Sequence, residues 1–199
     1  AGGGIGGSGY TSVGTITALG SILVNGVEFQ TTGAAVTLNG ITVNEKELQV
    51  GMVVKVEGIV NSDGKTGKAD TVVFAPTVAG PVSSIDQGRN TLEVMGQTVQ
   101  VDAQTTIAGL WGDSPGFPGI AVNDLVEISG LTDADGAIRA TRIARRAAGL
   151  PSEVTGRVSN LTSTTFRINN LTIDYSKLPS GGIQPGDCVT VRGNPTSST

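Results

Sequence analysis

The sequence predicts an all-β chain of three tandem copies of one small module, the third copy lacking its last strand. Three observations predict it. Short runs of alternating apolar and polar residues, rich in Val, Ile and Thr, are separated by Gly- and Asn-containing turns. The same order of strand and turn signals recurs three times. The third recurrence stops at Gly193, with only residues 194–199 after it.

The copies span residues 11–76, 77–149 and 150–199, behind a Gly-rich tail at residues 1–10. Each opens on a strand carrying a glycine: Val13-Gly14-Thr15-Ile16-Thr17, Val78-Ala79-Gly80-Pro81-Val82-Ser83 and Val154-Thr155-Gly156-Arg157-Val158-Ser159. A second strand follows at residues 21–24, 91–94 and 165–168. Next come the tight turns Asn25-Gly26, Met95-Gly96 and Asn169-Asn170, of which Asn-Gly and Asn-Asn suit the positive φ of two-residue hairpins. A third strand covers residues 27–31, 98–102 and 171–175.

The clearest shared block is Leu48-Gln49-Val50-Gly51-Met52-Val53-Val54-Lys55-Val56-Glu57-Gly58. Its partners run from Ile120 to Gly130 and from Ile183 to Gly193. Each reads as an apolar strand launched by a small turn and ending at glycine. In the first two copies a further hairpin closes the module: Asp63-Gly64 before residues 69–74, and Asp135-Gly136 before residues 138–143. The helix candidate is short, Asn44-Glu45-Lys46-Glu47-Leu48. Five short strands in roughly 65 residues are most simply a small, partly open barrel of the OB kind, because curling a short sheet hides its edges.

The V-x-G-x-V-S opening, the L-x-V-G-x-x-V-x-V-x-G block and the D-G-x-x-x-A-T-x-I closing hairpin resemble an uncharacterised bacterial domain-of-unknown-function family. The resemblance covers residues 11–193. It implies tandem OB-like barrels in secreted proteins and lipoproteins, often behind a Gly-rich N-terminus. It therefore implies an extracellular or cell-surface location and leaves room for a lipid anchor on a precursor. It supplies no catalytic residues.

Composition excludes several chemistries. The chain has no histidine, which removes Ser–His–Asp and Cys–His hydrolases, His-ligated haem and His-type zinc sites. One cysteine, Cys188, cannot form an intrachain disulfide or a Cys₄ metal site. A net charge of −4 argues against general nucleic-acid binding, which needs clustered Lys and Arg. No stretch approaches a membrane-spanning length of apolar residues. A start at Ala1-Gly2-Gly3-Gly4, with low charge and abundant Gly, Ser and Thr, leads us to expect export after cleavage at a small-residue signal site. No cofactor is expected. Gly4-Ile5-Gly6-Gly7-Ser8-Gly9 spells G-x-G-x-x-G, but it lacks the preceding strand and following helix of a dinucleotide site. Asp133-Ala134-Asp135-Gly136 misses the order of a calcium loop and reads as a turn.

Functional expectations centre on the incomplete third copy. An open strand edge is a pairing template that proteins block or fill. Val189, Val191 and Gly193 form the expected acceptor edge. Ile5 and Tyr10 are the expected apolar anchors of a donor strand from another copy, the alternative being a barrel closed by its own chain. One-way donation generates rings or open filaments. Trp111 and Phe117 sit in a Pro/Gly-rich insertion of the second copy, which reads either as a contact loop or as a plug over a barrel end. Arg139, Arg142, Arg145 and Arg146 are an anion-contact candidate, read more simply as a solvated face. Cys188 aligns with Val53 and Leu125 and reads as a small core residue. The leading expectation is a non-catalytic, self-associating structural protein, a rod or fibre subunit. The alternative is an OB-type binding module for an oligosaccharide or nucleic acid.

Overall fold

The computed structural model describes residues 9–109, 119–178 and 182–196. The chain divides into two compact units, Ala1–Ala75 and Pro76–Thr199. Every regular element described is a strand, apart from one 3-10 turn. Among the described residues no helix is long and apolar enough to cross a membrane.

The first unit contains β1 (Tyr10–Thr15), β2 (Ile22–Val24), β3 (Val27–Gln30), β4 (Ala35–Leu38), β5 (Ile41–Val43), the 3-10 turn Glu45–Glu47, β6 (Val53–Val60) and β7 (Thr66–Phe74). β1 pairs antiparallel with β6, and β6 antiparallel with β7. β7 pairs parallel with β3, and β3 antiparallel with β2. A bridge between Ile16 and Val24 brings β2 back to the end of β1. The inward positions seal a core around Ile16, Val24, Phe29, Val56, Val72 and Phe74. Burying rings as large as Phe29 and Phe74 stabilises the unit by about 1.5–3 kcal/mol each.

Local chemistry fixes this path. Asn25 and Gly26 both take positive φ, 52° and 80°, which matches the twist of a two-residue hairpin. The Asn25 amide then donates to Ser12 Oγ at 3.0 Å and to the Val13 carbonyl at 2.8 Å, pinning the turn to β1. Gly14 makes this possible, since a Cβ there would collide with the Asn25 side chain.

Two expectations need correction here. The unit has seven strands rather than five, because residues 35–43 fold into the β4–β5 hairpin about Asn39 and Gly40, at φ 55° and 82°. β4 runs parallel to the second half of β7, while β3 takes the first half. In the first two copies the glycine of the shared block also does not end its strand. β6 passes through Gly58 with a register shift between Glu57 and Gly58, and the strand Leu125–Thr132 of the second copy does the same at Ser129 and Gly130. Such bulges bend a strand and let one return strand serve two neighbours.

The second unit contains β8 (Val78–Asp86), β9 (Thr91–Val94), β10 (Gln97–Gln100), β11 (Thr106–Ala108), β12 (Leu125–Thr132), β13 (Ile138–Arg145), β14 (Ser152–Arg157), β15 (Thr165–Ile168), β16 (Leu171–Asp174) and β17 (Cys188–Gly193). Pairing runs from β8 to β12, β13, β10 and β9, then returns to β8. β11 lies parallel on β13, as β4 does on β7. β14 pairs with both β8 and β17. β15 and β16 form a separate antiparallel pair, tied in by the bridge Ser159–Arg167. The second and third copies share one core, which runs from Val78 and Val126 to Phe166, Ile168 and Tyr175.

Candidate functional site

Among the described residues, the third copy shows the first strands of its sisters and no counterpart of the strand that joins their halves. In the second copy β13 stands between β12 and β10, antiparallel to one and parallel to the other. In the first copy β7 does the same between β6 and β3. The corresponding strands of the third copy are β17 and β16. β17 pairs only with β14, and β16 only with β15, among the described residues.

Burial differs between the copies. Val54 and Val56 on β6 are 1% and 0% exposed, and Val126 and Ile128 on β12 are both 0% exposed. Their counterparts Val189 and Val191 are only partly buried. Likewise Val99 on β10 is sealed, whereas Ile173 on β16 is half-buried. Leu171 and Ile183 are likewise only partly buried against the core.

The glycines mark the same place. A Cβ at Gly58 would collide with the Lys68 carbonyl of the return strand, and one at Gly130 with the Arg139 carbonyl. Gly193 holds the equivalent position at the end of β17, and a Cβ there would meet nothing within 4 Å. The close approach that requires glycine in the sisters has no counterpart at Gly193.

β17 is nevertheless held firmly along its other side. Six residue pairs join it to β14, from Ser152–Gly193 to Arg157–Cys188. Arg192 Nε donates to Glu153 Oε2 at 2.9 Å and Nη2 to Oε1 at 3.2 Å, a two-point contact. Glu153 is 2% exposed, and its hydrogen bonds and charge raise the Arg192 pKa above the ordinary value. Nothing in the local sequence marks this pair, because the two residues lie on strands far apart in the chain.

The other predicted residues fall as follows. Tyr10 begins β1 opposite Gly58 and stacks on Phe29, with ring centroids 6.1 Å apart and planes at 28°, so its ring is engaged within its own unit. Ile5, Trp111 and Phe117 lie outside the described residues. Cys188 is exposed rather than in the core. It sits one residue out of phase with the inward Val189 and Val191, and its counterparts Val53 and Leu125 are only half-buried.

The arginines do not form one solvated face. Arg139 and Arg145 are exposed, but Arg142 is 7% exposed, and burial pushes its pKa down while the Glu127 charge opposes that. The Arg146 side chain is 5% exposed. It bonds Glu127 at 3.2 Å and the Pro151 carbonyl at 2.8 Å. Asp133 is spent on its turn, accepting from the backbone of Asp135 and Ala137 at 3.0 and 2.9 Å. In the first unit a polar groove of about 380 Å³ is lined by Glu28, Gln30, Asn61, Thr66, Gly67 and Lys68, with no aromatic ring among them.

Residues 13–69 and 79–144 each match the domain of unknown function DUF5666. The chain belongs to the DUF5666 family. The two DUF5666 matches run from within β1 into β7, and from within β8 into β13. The first reaches only the opening residues of its return strand, Thr66–Ala69, and the second takes in nearly all of its own. The third copy, with its unpaired edges, lies outside both DUF5666 matches. No curated protein matches the chain.

Proposed function

We propose that this protein is a non-catalytic, self-assembling structural subunit, working outside the cell or at a bacterial cell surface. Each copy of the module is read as a small barrel of the OB kind. That reading draws on the strand order β8-β12-β13-β10-β9-β8 and on the matching order in the first unit. Among the described residues the third module holds β14 to β17 and no return strand. The N-terminal segment of another copy, residues 1–9, supplies it.

The observation that carries the reading is the loss of cover at Val189 and Val191, whose sister residues are sealed by β7 and β13. An unpaired strand edge beside partly covered apolar residues is what strand addition requires: main-chain bonds for affinity and pockets for alternate side chains. The location rests on low charge and a Gly-, Ser- and Thr-rich composition with a single cysteine. The alternative, sugar or nucleic-acid binding, has the polar groove in its favour. Stacking on bases or sugars uses exposed rings, however, and Phe29, Phe74, Phe166 and Tyr175 are buried.

Removing residues 1–9 tests the proposal. The full chain should form multimers by light scattering and fibres or rings by electron microscopy, and the shortened chain should be a folded monomer. Identical multimers from both chains would overturn strand donation. A monomeric full chain that binds an oligosaccharide would favour the alternative.

A further inference from the structure

The second and third copies are joined through equivalent strands. Gly80 of β8 faces Val126, Gly156 of β14 faces Val189, and Gly14 of β1 faces Val54, in each case the second residue of the partner strand. Counted from these glycines, Val78, Val154 and Ser12 hold one position of the module, and Ala79, Thr155 and Val13 the next. Val78 pairs with Val154 and Ala79 with Glu153, and the Thr155 N–H donates to the Thr77 carbonyl at 2.9 Å. The two strands therefore meet antiparallel through the same module position, which is a local two-fold. The joint is dry: Val78 and Ala79 are 0% exposed.

β1 carries the same edge, and among the described residues β6 is the one strand paired with it along Tyr10–Thr15. The Ile16 N–H donates to the Met52 carbonyl and the Ile16 carbonyl accepts from Gly51, so Ile16 faces β6. By alternation the main chain of Thr11 and Val13 faces the other way. The chemistry of that edge differs from the sisters. The Asn25 amide sits on the Val13 carbonyl at 2.8 Å and on Ser12 Oγ at 3.0 Å. In the second copy the same turn position is Met95, which has no donor and lies against Gly80. In the third, Asn169 sends its amide to Gln97 and Gly136 instead. Ser12 also brings a hydroxyl where both sisters have valine. Polar groups that occupy an edge are a means of keeping other strands off it. We propose that β1 is a latent joint for a second copy of this chain, held shut by Asn25 and Ser12. Opened, it would pair with β1 of that copy as β8 pairs with β14, Ser12 opposite its own counterpart and Val13 opposite Thr11. Such an isologous pair closes on itself and cannot propagate. The Asn25–Ser12 guard thus keeps chains out of closed two-fold dimers, and it stands independently of strand donation.

Amide hydrogen exchange on the full-length chain tests the guard. In the parent, the Thr11 and Val13 amides should exchange freely at every protein concentration. Ser12→Val with Asn25→Met copies the second module, where Met95 already holds a φ of 50° in the same turn. In that variant both amides should gain protection of about tenfold or more as concentration rises, because they become hydrogen-bonded across the new joint. Asn25→Gly keeps the positive φ and sheds the amide, so it should move the same way, and it carries the test should the double variant fail to fold. Variants whose Thr11 and Val13 amides exchange as in the parent would overturn the guard. Parent amides that are already protected would overturn it too. Strand donation is read separately, by removing residues 1–9, so either idea can fail without the other.

Discussion

The side-chain amide of Asn169 donates to Gln97 Oε1 at 2.7 Å, and Gln97 Nε2 in turn donates to the Ile168 carbonyl at 3.0 Å. This exchange clamps the hairpin turn of the third copy to that of the second. Asn169 also donates to the Gly136 carbonyl at 2.9 Å, and Gly96 leaves room for the backbone of Asn170 and Leu171. Gln97 is 2% exposed, so removing it leaves buried partners unmet. Gln97→Ala should lower stability by about 1–3 kcal/mol in urea unfolding. Combining it with Asn169→Gly, which keeps the positive φ, should cost less than the sum of the two.

Arg192→Ala leaves the carboxylate of Glu153 buried without its two-point partner. Removing one member of a fully buried pair costs about 3–5 kcal/mol. Arg192 is 48% exposed, and solvent reduces that figure to about 1–3 kcal/mol. Replacing both residues, Glu153→Met with Arg192→Met, should recover much of the loss. A double variant less stable than Arg192→Ala would contradict this.

Gly58→Val and Gly130→Val force a side chain into the backbone of the return strand. Overpacking of this kind costs about 1–3 kcal/mol, and more where the obstacle is backbone. Both variants should melt several degrees below the parent. Calorimetry on each, beside Gly193→Val, separates a glycine needed within the fold from one that is not.

Asp63 closes the turn between β6 and β7. Its Oδ1 accepts from the backbone of Lys65 and Thr66 at 2.8 and 2.9 Å, and Thr66 Oγ1 donates to Oδ2 at 2.6 Å. These bonds, that from the Thr66 hydroxyl first, hold its pKa below the ordinary 3.8. A lowered carboxylate pKa stabilises the fold above that ordinary value, and the contribution fades as pH falls through the depressed one. Asp63→Ala should therefore melt lower than the parent at pH 7. The gap should narrow once the pH drops below 3.8 and close when it has fallen below the depressed pKa.

Much of this architecture is legible in the sequence. Asn25-Gly26 and the alternation on either side fix the β2–β3 hairpin, and its recurrence fixes β9–β10 and β15–β16. The β4–β5 hairpin is equally legible, with Val36 and Leu38, then Ile41 and Val43, flanking Asn39-Gly40. A five-strand template leaves no place for it. Cys188 and Arg142 are harder, since a residue type gives no phase. Cys188 follows the outward phase of Val53, and Arg142 lies just past a bulge where inward and outward exchange. The Gln97–Asn169 and Glu153–Arg192 contacts join residues 72 and 39 positions apart, beyond the reach of local pattern.

The bulges have a consequence for chain length. In β7 the inward residues are Gly67 and Ala69 before the irregularity, then Val72 and Phe74 after it, so odd numbers give way to even. Deleting one residue between Ala69 and Val72 would restore strict parity. The same deletion between Val72 and Phe74 would instead turn Phe74 toward water. Length changes are therefore tolerable in turns such as 61–65 or 87–90 and ruinous within a return strand, where one codon resets the sidedness of everything after it.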